Sequence, residues 1–285
     1  MYVIKLRTLL IIFALIIALC FGIVPAAVKT VTDYKENAVK VPVIMYHSVL
    51  KNTNNKFTVT PDAIEKDLKY LSDNGYTTIV TKDLIDYVYN DVELPPKPII
   101  LTFDDGHYNN YHYVLPLLKK YNSKAVLSVV GEYTDNYTKN RDLNVNYAYI
   151  PWDILKEMSQ SGYFEIQNHT YNLHSTDKGR MGCKIKYGED KTLYKTMLFD
   201  DVILMQNKCK DNIGTEPVAF TFPFGFVCKE ADEVIKQMGF KASYGCEEGI
   251  NKIGTDPNDL YRLKRFIRTN QKSVSDILCE YSIVN

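Results

Sequence analysis

Two adjacent carboxylates, Asp104 and Asp105, stand in Leu101-Thr102-Phe103-Asp104-Asp105-Gly106. The apolar run Ile99-Ile100-Leu101 before them reads as a buried strand. The acids therefore fall where that strand ends, and Gly106 permits a sharp turn there. Neighbouring acids in a low-dielectric site resist ionising together unless a cation or hydrogen bonds hold them. His169 and His174 bring two imidazoles in the segment His169-Thr170-Tyr171-Asn172-Leu173-His174. One carboxylate and two imidazoles make three protein ligands, and a metal ion with an open position activates water.

The spacing restricts how this can work. A five-residue offset places the two histidines about 140° apart on a helix, at roughly 100° per residue. On a strand the same offset points them to opposite faces. They converge on one ion only if the segment between them is a loop. The apolar start at Phe164-Glu165-Ile166 predicts a strand that runs into such a loop.

The elements that must position these groups alternate along the chain. The pattern predicts strands at 41–46, 77–80, 99–103, 125–130, 164–166, 218–222, 241–244 and 265–267. Between and after them it predicts helices near 61–74, 82–89, 111–121, 151–161, 193–212, 229–238 and 274–281, with Thr60-Pro61 as a capped start. Residues 175–191 are polar with three glycines and read as a surface loop. Strands alternating with helices predict a parallel sheet with helical crossovers. In that architecture catalytic groups sit at strand carboxyl ends. His47, Asp104, Asp105, His169 and Pro223-Phe224-Gly225 all fall at such ends.

Composition bounds the rest. The 285 residues carry equal numbers of acids and bases, and removing Lys5 and Arg7 leaves a slightly acidic remainder. Nothing in that balance favours a nucleic-acid partner. Residues 9–24 are apolar without interruption behind Lys5 and Arg7. They predict a signal peptide or membrane anchor over 1–28, with the chain beyond it outside the cytoplasm, secreted or anchored. A polar linker follows at 29–40, then a catalytic domain at 41–285, long enough for one α/β barrel. Five cysteines lie beyond the targeting segment with no CxxC spacing, which argues against zinc-finger chemistry and leaves one or two disulfides, or buried free thiols as the plainer reading. The 22 tyrosines follow a composition rich in Lys, Asn and Ile, so no single one marks a sugar site. His107 lies close enough to the acids to touch substrate, whereas His112 and Trp152 read as structural.

Taken together, the chain resembles the polysaccharide deacetylases of carbohydrate esterase family four, the NodB-homology group. Thr102-Phe103-Asp104-Asp105-Gly106 matches that group's first motif in full, and the histidine pair matches its second. The five-residue offset and Met45-Tyr46-His47 resemble the branch acting on poly-N-acetylglucosamine. The resemblance spans about 41–267 and implies a distorted (β/α) barrel with parallel strands and outer helices. It implies Asp104 as general base, with Asp105, His169 and His174 holding a divalent metal, foremost Zn²⁺, with Co²⁺, Ni²⁺ or Mn²⁺ as alternatives. It also implies the Phe224 backbone N–H as oxyanion donor, and the Met-Tyr-His branch implies His47 as acid; the late Leu-x-x-His motif of other members is missing here, as no histidine follows His174. Many members carry an Arg before the Pro-Tyr-Gly turn, where this chain has Thr221, so orientation of the base falls to Arg265 as the candidate. The implied activity removes acetyl groups from N-acetylglucosamine residues of a cell-envelope or extracellular polysaccharide. The alternatives are an O-deacetylase of xylan or peptidoglycan, or an inactive carbohydrate-binding envelope protein.

Overall fold

The computed structural model describes residues 38–52 and 55–281. The expected targeting segment and nearly all of the linker lie outside them. Among the described residues no helix is long and apolar enough to cross a membrane. From Lys40 onward the chain forms a unit of its own.

Eight strands form the main sheet: β1 (Val43–Tyr46), β2 (Thr77–Ile79), β3 (Pro98–Phe103), β4 (Ala125–Val129), β5 (Phe164–Asn168), β6 (Ala219–Thr221), β7 (Ala242–Tyr244) and β8 (Phe266–Ile267). Their order is β7-β6-β5-β4-β3-β1-β8, with β2 paired to the first half of β3. Every pairing is parallel. The strands β1, β3 and β4 are buried at every residue. That explains their continuous apolar runs, because helices and barrel interior exclude water from both faces. The segment 263–267 spans the gap between the ends of the sheet. Leu263 N–H donates to Ser243 O at 2.7 Å on the β7 side, and Phe266 pairs with Ile44 of β1. The sheet is thereby curled into the expected distorted barrel.

The outer layer consists of α1 (Pro61–Asp73), α2 (Thr81–Asn90), α3 (Leu115–Lys120), α4 (Gly131–Asn140), α5 (Trp152–Gln160), α6 (Lys191–Ile213), α7 (Lys229–Gln237) and α8 (Val274–Glu280). In α1 the Thr60 hydroxyl accepts from Ala63 N–H, and Ile64, Leu68 and Leu71 face the core. Two parts of this helical layer depart from the pattern, and short strands at Val39–Val41 and Asn251–Ile253, which pair with each other, and at Ser48–Val49 and Thr58–Val59 were also not expected. The single helix expected at 111–121 opens with a π turn over Asn110–Val114 before α3. Pro116 lacks an N–H and its ring crowds the carbonyl four residues back, so a wider turn relieves the clash. The helix α4 was not expected from its sequence, which opens on Gly131 and holds two Thr and two Asn in ten residues. Its first N–H groups, on Gly131 and Glu132, donate to Thr170 O and Tyr171 O, so tertiary contacts anchor its start. The 175–191 segment is loop apart from a short 3₁₀ turn, Asp177–Gly179. The described cysteines are all free thiols; Cys183 and Cys209 are buried as expected, whereas Cys228 and Cys246 are half-buried and Cys279 is exposed.

Register delivers the chemistry to one rim. Tyr46 pairs with Phe103, and Asp104 N–H donates to Tyr46 O, which sets His47 level with Asp104. Val129 pairs with Asn168, and His169 N–H donates to Val129 O. Asn168 in turn pairs with Phe220, which brings Thr221 beside His169.

Candidate active site

The two aspartates leave β3 in opposite roles. Asp104 is buried, and its Oδ1 accepts from Arg265 Nη1 at 2.8 Å. Arg265 is wholly buried. It also donates from Nε to Gly245 O (2.7 Å) and from Nη1 to Thr102 Oγ1 (3.2 Å). Asp105 adopts a left-handed backbone, φ 73°, followed by Gly106 at φ 80°. A Cβ on Gly106 would lie 3.0 Å from Val129 Cγ1, so this turn needs glycine for space as well as conformation. The turn swings the Asp105 carboxylate toward the histidine loop.

There Asp105 Oδ1 lies 3.5 Å from His169 Nε2 and 3.1 Å from His174 Nε2. Its Oδ2 lies 3.5 Å from His107 Nε2. His169 Nδ1 is 2.8 Å from Thr221 O, an acceptor, so Nδ1 carries the proton. When the ring is neutral, its Nε2 lone pair therefore faces Asp105. Asp105 Oδ1 is buried and makes no hydrogen bond. A buried carboxylate oxygen without a hydrogen bond, 3.5 Å from His169 Nε2 and 3.1 Å from His174 Nε2, suits a cation between them. A tetrahedral ion with bonds of about 2.0 Å has ligand–ligand edges of roughly 3.3 Å, close to those separations. The Asp105, His169 and His174 ligand atoms all lie within 4.8 Å of one another. The donor set therefore fits a divalent ion.

The electrostatics agree. Burial pushes the Asp105 carboxyl up, yet His107, His169 and His174 hold it well below the usual carboxylate range. Burial likewise works against Asp104, and the charges of Arg265 and His169 overturn it to leave a lowered value. Burial pulls the His169 imidazole down, but Asp105 and Asp104 raise it overall. The cluster favours added positive charge, whether proton or metal.

These groups line a cavity of about 610 Å³. His47, Asp104, Asp105, His169, His174 and Phe224 all border it. The structure thus gathers every one of the expected site residues, with Arg265 behind Asp104. Burial lowers the His47 imidazole, opposed by the Asp104 and Asp105 charges. Phe224 has φ 56° and Gly225 φ 70°, and the Phe224 ring packs on His174 at 4.4 Å between centroids. His107 stacks on Tyr149 at 4.9 Å. His112 is exposed and packs only on neighbouring tyrosines. Trp152 is core, with Nε1 donating to Asp135 Oδ1 at 2.6 Å. Sequence reasoning missed Asn109 and Asn110. Asn110 Nδ2 donates to His47 O at 2.9 Å, and Asn109 Oδ1 accepts Val49 N–H at 2.9 Å. Both are buried and fix the segment that carries His47. Two amides just after the Asp-Asp-Gly turn were their only signal.

The family profile described as polysaccharide deacetylase matches residues 91–243. The chain belongs to the polysaccharide deacetylase family. The match includes Asp104, Asp105, His169, His174 and Phe224, while His47 and Arg265 lie on either side of it. The Bacillus subtilis protein YxkH, named as a polysaccharide deacetylase, is 32% identical over 230 residues, covering 80% of this chain and 72% of that one. The Escherichia coli poly-β-1,6-N-acetyl-D-glucosamine N-deacetylase is 24% identical over 260 residues. This deacetylase spans only 37% of that longer relative. A solved de-N-acetylase from Aggregatibacter actinomycetemcomitans superposes with a TM-score of 0.72 at 29% identity, covering 84% of this chain and 98% of that one.

Proposed function

We propose that this deacetylase removes N-acetyl groups from N-acetylglucosamine residues of an extracytoplasmic polysaccharide, using a divalent ion held by Asp105, His169 and His174. One observation carries the metal role: the buried, unbonded Asp105 Oδ1 facing two imidazole nitrogens. The substrate rests on the E. coli relative's name and on a cavity of a size that admits a sugar ring. The extracytoplasmic location rests on the apolar segment 9–24 behind Lys5 and Arg7.

A divalent ion such as Zn²⁺, held by Asp105, His169 and His174, would acidify a water and offset charge on the acetamide oxygen. The remaining work falls to the chain. Asp104, held ionised by Arg265, takes a proton from the attacking water as general base. Arg265 occupies Oδ1 and so fixes the carboxylate plane for that transfer. The Phe224 N–H donates toward the carbonyl oxygen as it gains charge, a contribution of about 3 kcal/mol for a well-placed donor. His47 gives a proton to the departing amine. Burial weakens its hold on that proton.

Acetate release decides the reading. The purified protein is expected to release acetate from β-linked N-acetylglucosamine oligomers, to lose this with a chelator, and to regain it with Zn²⁺ or Co²⁺. Release confined to O-acetylated xylan or peptidoglycan would overturn the amide assignment. Release unaffected by metal removal would overturn the metal assignment.

A further inference from the structure

The loop between the two histidines is held from behind by α6. Asp201 on that helix accepts from Tyr171 N–H at Oδ1 and from Asn172 N–H at Oδ2, both at 2.8 Å. The buried Asn168 side chain accepts Thr170 N–H (2.8 Å) and donates to Val202 O and Gln206 Oε1 on the same helix, each at 3.2 Å. Leu173 N–H donates to Thr170 Oγ1 at 3.2 Å. Every backbone N–H from Thr170 to Leu173 is therefore engaged, two of them by one carboxylate. The loop needs such restraint. Thr170 has φ 72°, a left-handed conformation that a β-branched residue strongly disfavours.

The carboxylate is an awkward choice for packing alone. Burial pushes Asp201 up to about 6, the two N–H bonds oppose this, and the Glu132 charge adds to it. An anion facing amides and another acid is harder to bury than a neutral side chain. What it adds is a pair of converging charge-assisted bonds, which orient more firmly than neutral ones.

We propose that Asp201 is a positioning residue that sets the separation of His169 and His174, and through it the affinity for the divalent ion. This rests on the metal role proposed above for the two histidines. An amide at this position keeps one acceptor but turns an NH₂ toward the second N–H, so the loop loosens while the fold gains a neutral group.

The test uses the full, metal-stripped chain. Zn²⁺ affinity is measured by competition with a chromophoric chelator, and the unfolding midpoint is measured without metal. D201N is expected to bind Zn²⁺ about 10–100-fold more weakly, the range seen when groups that orient ligands are removed. Its metal-free midpoint is expected to hold or rise. D200N, at the exposed neighbouring position, is expected to match wild type in both measurements. D201E keeps both acceptors and is expected to recover part of the affinity. Wild-type affinity in D201N overturns the proposal, as does an affinity loss matched by a fall in the metal-free midpoint. Should D201N fail to fold, D201E decides: its shifted carboxylate is expected to weaken Zn²⁺ binding several-fold, and unchanged binding overturns the proposal. A wild-type chain that binds Zn²⁺ no better than H169A would overturn the metal reading itself, a separate failure.

Discussion

Two buried Asp–Arg pairs flank β8, and they are built differently. Arg268, just after the strand, donates from Nε to Asp67 Oδ2 (2.7 Å) and from Nη2 to Oδ1 (3.2 Å). Tyr46 OH and Val274 N–H also donate to the Asp67 carboxylate, at 3.0 and 3.3 Å. Both Asp67 oxygens are thus committed, and the pair ties β1, α1 and the start of α8 together. Arg265, just before β8, meets Asp104 through Nη1 and Oδ1. That second carboxylate borders the cavity. Titration separates them too. Burial raises the Asp67 carboxyl despite Arg268, whereas Asp104 is lowered because His169 and His47 add to Arg265. A sealed pair fixes geometry and bears the burden of desolvation. An open pair keeps a charged oxygen ready for a substrate.

The largest effect expected from this contrast is on turnover. Asp104→Asn keeps an acceptor for Arg265 but cannot take a proton. Acetate release is expected to fall about 10³-fold, within the usual range for a positioned base. Bound metal, measured by elemental analysis, is expected to remain. Turnover near wild type in a metal-loaded Asp104→Asn protein would remove the base role and with it the distinction between the pairs. The next effect is on stability. Arg268→Met leaves Asp67 buried without its partner and is expected to cost about 3 kcal/mol in denaturant unfolding. Acetate release per folded molecule is expected to stay near wild type, since the Arg268 side chain bonds to Asp67 and to Thr269 O, neither of which borders the cavity. Loss of turnover in step with stability would show that the two pairs are not independent.

The sequence exposed the open pair far better than the sealed one, for reasons of distance along the chain. Asp104 and Asp105 sit in one short motif, and His169 and His174 in another, so strand-end position and residue type sufficed. Arg265 could be offered only as a candidate, because its contact with Asp104 crosses 161 positions. Asp67 and Arg268 lie 201 apart and carry no local mark. On α1 Asp67 reads as a surface acid until the fold closes over it. Asp201 was hidden similarly, one charge on a helix whose polar and apolar residues do not separate into clear faces. The helix α4 escaped because its stability comes from contacts with the histidine loop rather than from propensity. Periodicity reports which face is buried. It does not report which distant group waits there.

The smallest effect is the most discriminating, because its sign is fixed by the sealed pair alone. Replacing that pair by apolar side chains of similar volume, Asp67→Leu with Arg268→Met, removes both buried charges. Tyr46→Phe is added so that no hydroxyl is left without an acceptor. Such exchanges are neutral or stabilising by about 1–4 kcal/mol near neutral pH. The pH dependence follows from the raised Asp67 value. A raised acid binds its proton more tightly in the folded state than in the unfolded chain. Below the unfolded value of about 3.9 the wild type keeps that contribution in full. As pH rises through the raised folded value, the wild type must ionise a buried acid and loses it. The variant has no such acid. Its unfolding free energy relative to wild type is therefore expected to climb across that window and level off above it. Asp104 is present in both proteins, so its contribution, which is lost as pH falls, cancels in the difference. A difference that instead shrinks as pH rises would mean Asp67 is held ionised as firmly as Asp104. The sealed pair would then be a net stabiliser, and the contrast with the open pair would fail.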